Sequence, residues 1–178
     1  MQPLYILAFP AMAKRDADHI EAIREKHDPE GHALLTAHFT FVFGCSCVAR
    51  SAAETALGSA ASATAPIQFC LSRAMMSMHG RLHYVFLCPG QGEAEMLDLH
   101  RRLHAGRLSD CLDTAEPFMS HLTVCKTPDR DQAQEVLDRV NGDALAMTGT
   151  LGVLSLGAVQ NGRFDVLYEA ALTGRRSP

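Results

Sequence analysis

The sequence predicts a protein of mixed helices and strands made of two similar halves. Three observations predict it. The apolar period switches repeatedly between about 2 and about 3.6 residues along the chain. Asn161-Gly162 stands as a hairpin turn between two apolar-rich segments. A strand carrying His-x-Thr, followed by a capped helix, occurs near residue 38 and again near residue 121. The 178 residues are 47% apolar and 20% charged, with no linker or low-complexity tract, so one domain over 1–178 is expected. A chain of this length buries roughly 70% of its unfolded surface, so it needs neither a disulfide nor a structural metal.

Leu4 to Phe9 reads as a buried strand stopped by Pro10. Ala11-Met12-Ala13 after it resembles a leader cleavage site, but no positive charge precedes the segment and Pro10 interrupts it. Lys14 to His27 carries Ala17, Ile20 and Ile23 at helical spacing and ends at Asp28-Pro29. Ala37 to Phe43 alternates, with His38 and Thr40 on one parity and Phe39, Phe41 and Phe43 on a buried other. Ser51 to Glu54 has capping-box spacing and opens an alanine-rich helix to about Thr64. Ile67 to Met78 and Leu82 to Leu87 form two strands around Gly80, the second ended by Pro89-Gly90. Met96, Leu99 and Leu103 mark a helix over 93–104. Phe118 to Lys126 is a strand, with His121 and Thr123 on one face and Leu122 and Val124 on the other. Thr127-Pro128 caps a helix with stripe Ala133, Val136, Leu137 and Val140. Leu151 to Val159 and Phe164 to Leu172 complete the chain as a hairpin.

Composition narrows the function. Sixteen basic against 20 acidic residues, a net charge of −4, exclude a protein that holds long nucleic acid by phosphate neutralisation. No apolar run reaches the roughly 18 residues of a membrane-spanning helix. The six cysteines contain no CxxC pair and lie mostly in apolar runs, where they act as small hydrophobes, so a cytoplasmic protein is expected.

Of nine histidines, only His38 and His121 have a hydroxyl residue two positions on, as His38-Phe39-Thr40-Phe41 and His121-Leu122-Thr123-Val124. On a strand, residues two apart lie about 6.6 Å apart on one face, so each motif presents an imidazole beside a hydroxyl while its apolar residues anchor it. Two such strands facing one cleft would supply an acid, a base and two hydroxyls for phosphoryl oxygens, a set suited to phosphodiester chemistry without a metal or cofactor.

These paired HxTx motifs, in this strand and helix order, resemble the two-histidine (2H) phosphoesterase superfamily, in particular its 2′-5′ RNA ligase-like and RNA 2′,3′-cyclic phosphodiesterase branch. The likeness extends to the Leu4 to Pro10 strand, to Tyr84 to Gly92 and to Pro117-Phe118. It implies a bilobal, pseudo-two-fold α+β fold with an antiparallel sheet in each lobe, the HxTx strands lining the central cleft and helices packed outside. It implies His38 and His121 as catalytic residues, with His121 as base and His38 as acid when a 2′,3′-cyclic phosphate opens to a 2′-phosphate. Thr40 and Thr123 would bind phosphate. Where members of this branch often have proline before the second motif and arginine after it, this chain has Ser120 and Lys126. Lys126 offers a point charge, not a bidentate fork. The implied partner is a small nucleotide or RNA terminus bearing a cyclic or 2′-5′ phosphate, bound by a monomer with no extended nucleic-acid surface. The alternative is a catalytically weak sensor or adaptor that binds such an end in the same cleft.

Other residue clusters have plainer readings. His100 and His104, i and i+4 on one helix with Arg101 and Arg102 between, read as a solvated face. His79 and His83 flank a turn and read either as residues approaching the cleft or as simple turn histidines. Cys45-Ser46-Cys47 has the types to bind metal or report redox state, but without a second ligand pair it reads as structural. Gly90-Gln91-Gly92 reads as a loop, and Met75, Met76 and Met78 as core or cleft wall. Tyr5, Phe9 and Tyr84 are candidates to stack on a base.

Overall fold

The structure, a computed structural model, describes residues 2–112, 117–142 and 145–175. At its centre β1 (Leu4–Ala8) buries Leu4, Ile6, Leu7 and Ala8, as an unbroken apolar segment must. It lies between β3 (Phe39–Cys45) and β8 (Val153–Gln160), and β9 (Arg163–Ala171) completes a four-stranded sheet of order β3-β1-β8-β9. The other strands are β2 (Ala11–Met12), β4 (Ile67–His79), β5 (Leu82–Gln91), β6 (Leu122–Thr127) and β7 (Met147–Leu151). They form a five-stranded sheet of order β2-β7-β4-β5-β6. Every pairing is antiparallel. The strands β3 and β6, which follow the two histidines, are edge strands, one in each sheet.

Among the described residues five helices accompany the sheets: α1 (Lys14–His27), α2 (Pro29–Leu34), α3 (Arg50–Ser62), α4 (Glu93–His104) and α5 (Arg130–Gly142). Helices α1 and α5 pack on β6, α3 on β8 and β9, and α4 on β3, β4 and β5. One apolar cluster runs through both sheets, and Phe39 of β3 meets Phe69 of β4 edge to face at 5.3 Å. Each such buried side chain contributes about 1.5–3 kcal/mol relative to exposure. The α+β architecture with two antiparallel sheets is as expected.

Several local expectations are corrected. Leu151 to Val159 is not one strand: Leu151 pairs with Ile67 in one sheet and Val153 with Ala171 in the other, the chain changing sheets at Gly152. The hairpin turn is as read, with Asn161 at φ 49 and Gly162 at φ 73, the left-handed pair that a type I′ turn requires. Phe43 is 78% exposed because irregularities in the β1–β3 ladder shift register and bury Val42 instead. Helix α3 begins one residue before Ser51 and has no side-chain cap; Glu54 instead bonds Arg50 Nε at 2.6 Å. Pro89-Gly90 does not end β5, which runs to Gln91, so Gly90 and Gln91 are strand and not loop. In α5 the cap is Asp129, which accepts from Asp131 and Gln132 N–H groups. Helix α2 follows Asp28 directly, capped by it through Gly31 N at 3.2 Å. Met76 packs on the core, but Met78 is 63% exposed.

The cysteines divide. Cys88 and Cys125 are buried hydrophobes as expected, and burial pushes the Cys125 thiol up to about 11. Cys45 and Cys111, however, are joined as a disulfide across 66 residues. The cause is tertiary: Gly44 at φ 61 turns the end of β3, and Cys111 arrives there from a 3-10 turn over Ser109–Cys111. His100 and His104 are buried, not solvated, because they extend the α4 stripe of Met96, Leu99 and Leu103. Among the described residues no helix is long and apolar enough to cross a membrane.

Candidate active site

Each HxTx motif enters its edge strand in the same way. His38 immediately precedes β3 and His121 immediately precedes β6. His38 Nδ1 lies 2.8 Å from Thr36 O, and His121 Nδ1 lies 2.8 Å from Met119 O. A carbonyl oxygen can only accept, so Nδ1 carries the proton in both rings. Nε2 of the neutral ring is then left as an acceptor. Behind the motifs Phe39, Phe41, Leu122 and Val124 are all buried, which holds each strand against the core.

His38 and Thr40 from one sheet and Thr123, Lys126 and Tyr84 from the other line one cavity of ≈ 410 Å³. His121 is not part of that lining. Its ring packs on Phe86, centroids 4.0 Å apart. Burial lowers the His38 pKa most; Arg24 and His121 lower it further, against the hydrogen bond to Thr36 and the charge of Glu21. Burial also lowers the His121 pKa, with a contribution from His79. The His79 ring meets Tyr84, a residue of the cavity lining, at 5.4 Å. Of the candidate stacking groups, Tyr5 and Tyr84 line the cavity, and Phe9 contacts the His38 ring at 6.1 Å.

Three charged groups beside the histidines were not legible as site residues. Arg24 is 2% exposed and lines the cavity. Its guanidinium is held by Glu21 Oε2 at 2.7 Å and Leu35 O at 2.9 Å. Asp28 and Glu30 stand on the same wall; burial raises the Asp28 pKa, against the Gly31 amide and Arg24. Lys126 reaches Glu30 at 3.5 Å, an exposed pair of little energetic weight. A signal for Arg24 was available: extending Ala17 and Ile20 by heptad spacing lands on Arg24 and His27, and the buried stripe of α1 is Ile20, Arg24, His27.

Aromatic packing ties the approach of the second motif to α4. Phe118 stacks on His100 at 3.9 Å and 13° and on Phe41 at 5.9 Å. The following residue, Met119, supplies the carbonyl that orients His121. Burial, with the neighbouring His104 and Arg101, lowers the His100 pKa to about 4.

The same fold recurs in known proteins. The family profile of the 2′-5′ RNA ligase superfamily matches residues 10–163, most of the chain. Among solved structures, E. coli LigT in apo form is similar with TM-score 0.63 and 18% identity, over 97% of this chain and 98% of that one. TT0787 of Thermus thermophilus aligns with TM-score 0.65 and 17% identity, over 98% and 100%. Usb1 of Kluyveromyces marxianus aligns with TM-score 0.57 and 8% identity, over 96% and 97%. At these identities the likeness is one of fold. No curated protein matches the sequence significantly.

Proposed function

Because the chain belongs to the 2′-5′ RNA ligase superfamily of two-histidine phosphoesterases, we propose that it opens 2′,3′-cyclic phosphates of nucleotides or RNA ends by His38/His121 acid-base catalysis. The observation that carries this is the matched pair of histidines, each oriented by the carbonyl two residues before it, on edge strands whose threonines share one cavity. His121 Nε2 takes a proton from water, the water oxygen bonds to phosphorus, and the bond from phosphorus to O3′ breaks. His38, which enters the step as imidazolium with a proton on each ring nitrogen, gives its Nε2 proton to O3′, leaving a 2′-phosphate. Thr40 and Thr123 hydroxyls hold the non-bridging oxygens, and Lys126 adds positive charge. With a 5′-hydroxyl in place of water as the nucleophile, the same breaking of the bond from phosphorus to O3′ gives a 2′-5′ linkage. LigT of E. coli has been crystallised with 3′-AMP, ATP and NADP+, which supports a small nucleotide as the class of ligand here.

The proposed step uses only proton transfer by two imidazoles and hydrogen bonds from hydroxyls, so turnover is expected to persist in EDTA. The test is hydrolysis of a 2′,3′-cyclic mononucleotide in EDTA by the wild type, His38→Ala and His121→Ala. Each variant is expected to lose roughly 10²–10⁴-fold in rate while still binding the product 2′-nucleotide. Binding without turnover in the wild type would establish the sensor or adaptor reading, and turnover abolished by EDTA would overturn the metal-free mechanism.

A further inference from the structure

We propose that Cys45, Cys47 and Cys111, in their thiol form, are the three protein ligands of a Zn²⁺ site at the far end of β3 from the histidine motif. Two cysteines suffice for a disulfide, yet three converge here, with Cys47 and Cys111 64 residues apart in the chain. Cys47 Sγ lies 3.0 Å from Cys111 Sγ and 3.7 Å from Cys45 Sγ, and all three sulfurs fall within 4.8 Å of one another. Tetrahedral zinc with bonds of about 2.3 Å sets its sulfurs about 3.8 Å apart, so small side-chain rotations convert this cluster into a ligand set.

The local chain explains the convergence. On a regular strand Cys45 and Cys47 would stand about 6.6 Å apart. The strand ends at Cys45 and the chain bends at Cys47 and Val48, and the two sulfurs lie 3.7 Å apart. Cys111 is delivered by the 3-10 turn, with Cα 5.3 Å from that of Cys45. Cys45 is buried, Cys111 partly so and Cys47 exposed, so the cluster has a protein side and a solvent side. On the solvent side lies a surface cavity lined by Asp110 and Ser46 besides the cysteines. Asp110 or water would take the fourth position, where an open ligand is characteristic of zinc bound by three side chains. The other cysteines take no part: Cys88 and Cys125 are buried within the core, and Cys70 Sγ contacts a backbone carbonyl.

The Cys45–Cys111 disulfide is then the oxidised, metal-free form of the same cluster. A dithiol reductant transfers two electrons and two protons to that bond, giving two thiols and its own cyclic disulfide. Zinc binding then releases the three thiol protons to solvent. Oxidation removes two of three ligands, so metal binding is confined to reducing conditions. Phe43 lines both the cysteine cavity and the histidine cavity, so the cluster adjoins the wall of the proposed active site.

The full chain is reduced with a phosphine, freed of it under nitrogen, and titrated with Zn²⁺ against a chromophoric chelator, with Co²⁺ as a spectroscopic probe. One equivalent of Zn²⁺ per chain and a thiolate-to-Co²⁺ charge-transfer band are expected. Because Cys47 is exposed, Cys47→Ser leaves the fold and the disulfide intact, and it is expected to weaken Zn²⁺ binding roughly 100-fold or more. Cys70→Ser is expected to bind like the wild type, and the oxidised wild type not to bind. Absence of stoichiometric binding by the reduced protein, or affinity unchanged in Cys47→Ser, overturns the proposal and leaves a structural disulfide with an adventitious neighbour.

Discussion

His100 is expected to be the main acid-labile contact between α4 and the segment that leads into the second motif. Its ring is sandwiched against Phe118 at 3.9 Å and beside His104 at 4.3 Å, and it is 8% exposed. Burial holds the folded-state pKa near 4 instead of 6.5. Between those values the unfolded chain binds a proton that the folded chain refuses, so stability falls as pH falls. The loss begins near pH 6.5 and is complete below about 4. At about 1.36 kcal/mol per pH unit it amounts to about 3 kcal/mol between pH 7 and pH 4. Replacing His100 by Phe keeps an aromatic ring on Phe118 and removes the titration. Urea unfolding followed by circular dichroism at pH 7 and pH 4.5 measures it for both proteins. The wild type is expected to lose about 2 kcal/mol more than His100→Phe over that interval, close to 1 M in midpoint at a slope of about 2 kcal/mol/M. Comparing each protein with itself cancels the change of side chain at neutral pH. Midpoints that fall in parallel would refute the buried, neutral imidazole.

The pH profile of turnover tests the electrostatics of the two motifs. Burial lowers the pKa of both His38 and His121, and catalysis needs one ring charged and one neutral. The bell-shaped kcat/KM is therefore expected to peak on the acid side of about 6.5 and to fall as pH rises, because the acid loses its proton. Initial rates between about pH 4 and 9 decide it, and an optimum above about pH 7.5 contradicts it. Ser120, beside His121, is 3% exposed and its hydroxyl finds no partner among the described residues. Ser120→Ala is expected to raise stability by about 1 kcal/mol by removing a buried unpaired donor; a lower melting temperature would show the hydroxyl to be bonded.

Periodic segments were legible in the sequence because their signal is local. Helices over 14–27 and 93–104 come from stripes that any 3.6-residue repeat generates, and they form with those bounds. The Asn161-Gly162 turn follows from backbone sterics alone. The two HxTx motifs were legible as local patterns, but each histidine stands just before its strand, and only His38 joins both threonines in the cavity lining.

What depends on contacts distant in sequence was decided only by the tertiary structure. Register shifts between β1 and β3 exposed Phe43, which strict alternation buries. The change of sheet at Gly152 split an apolar run that reads as one strand, since which ladder a residue joins depends on partners far away in the chain, Ile67 for Leu151. Packing of α4 against Phe118 buried two histidines that Arg101 and Arg102 between them made read as solvated. Cys111 met Cys45 and Cys47 only because a turn after α4 folds back onto the end of β3. Local chemistry chose the groups, and long-range chain closure chose their neighbours, because burial and charge at a site are properties of the neighbours and not of the residue.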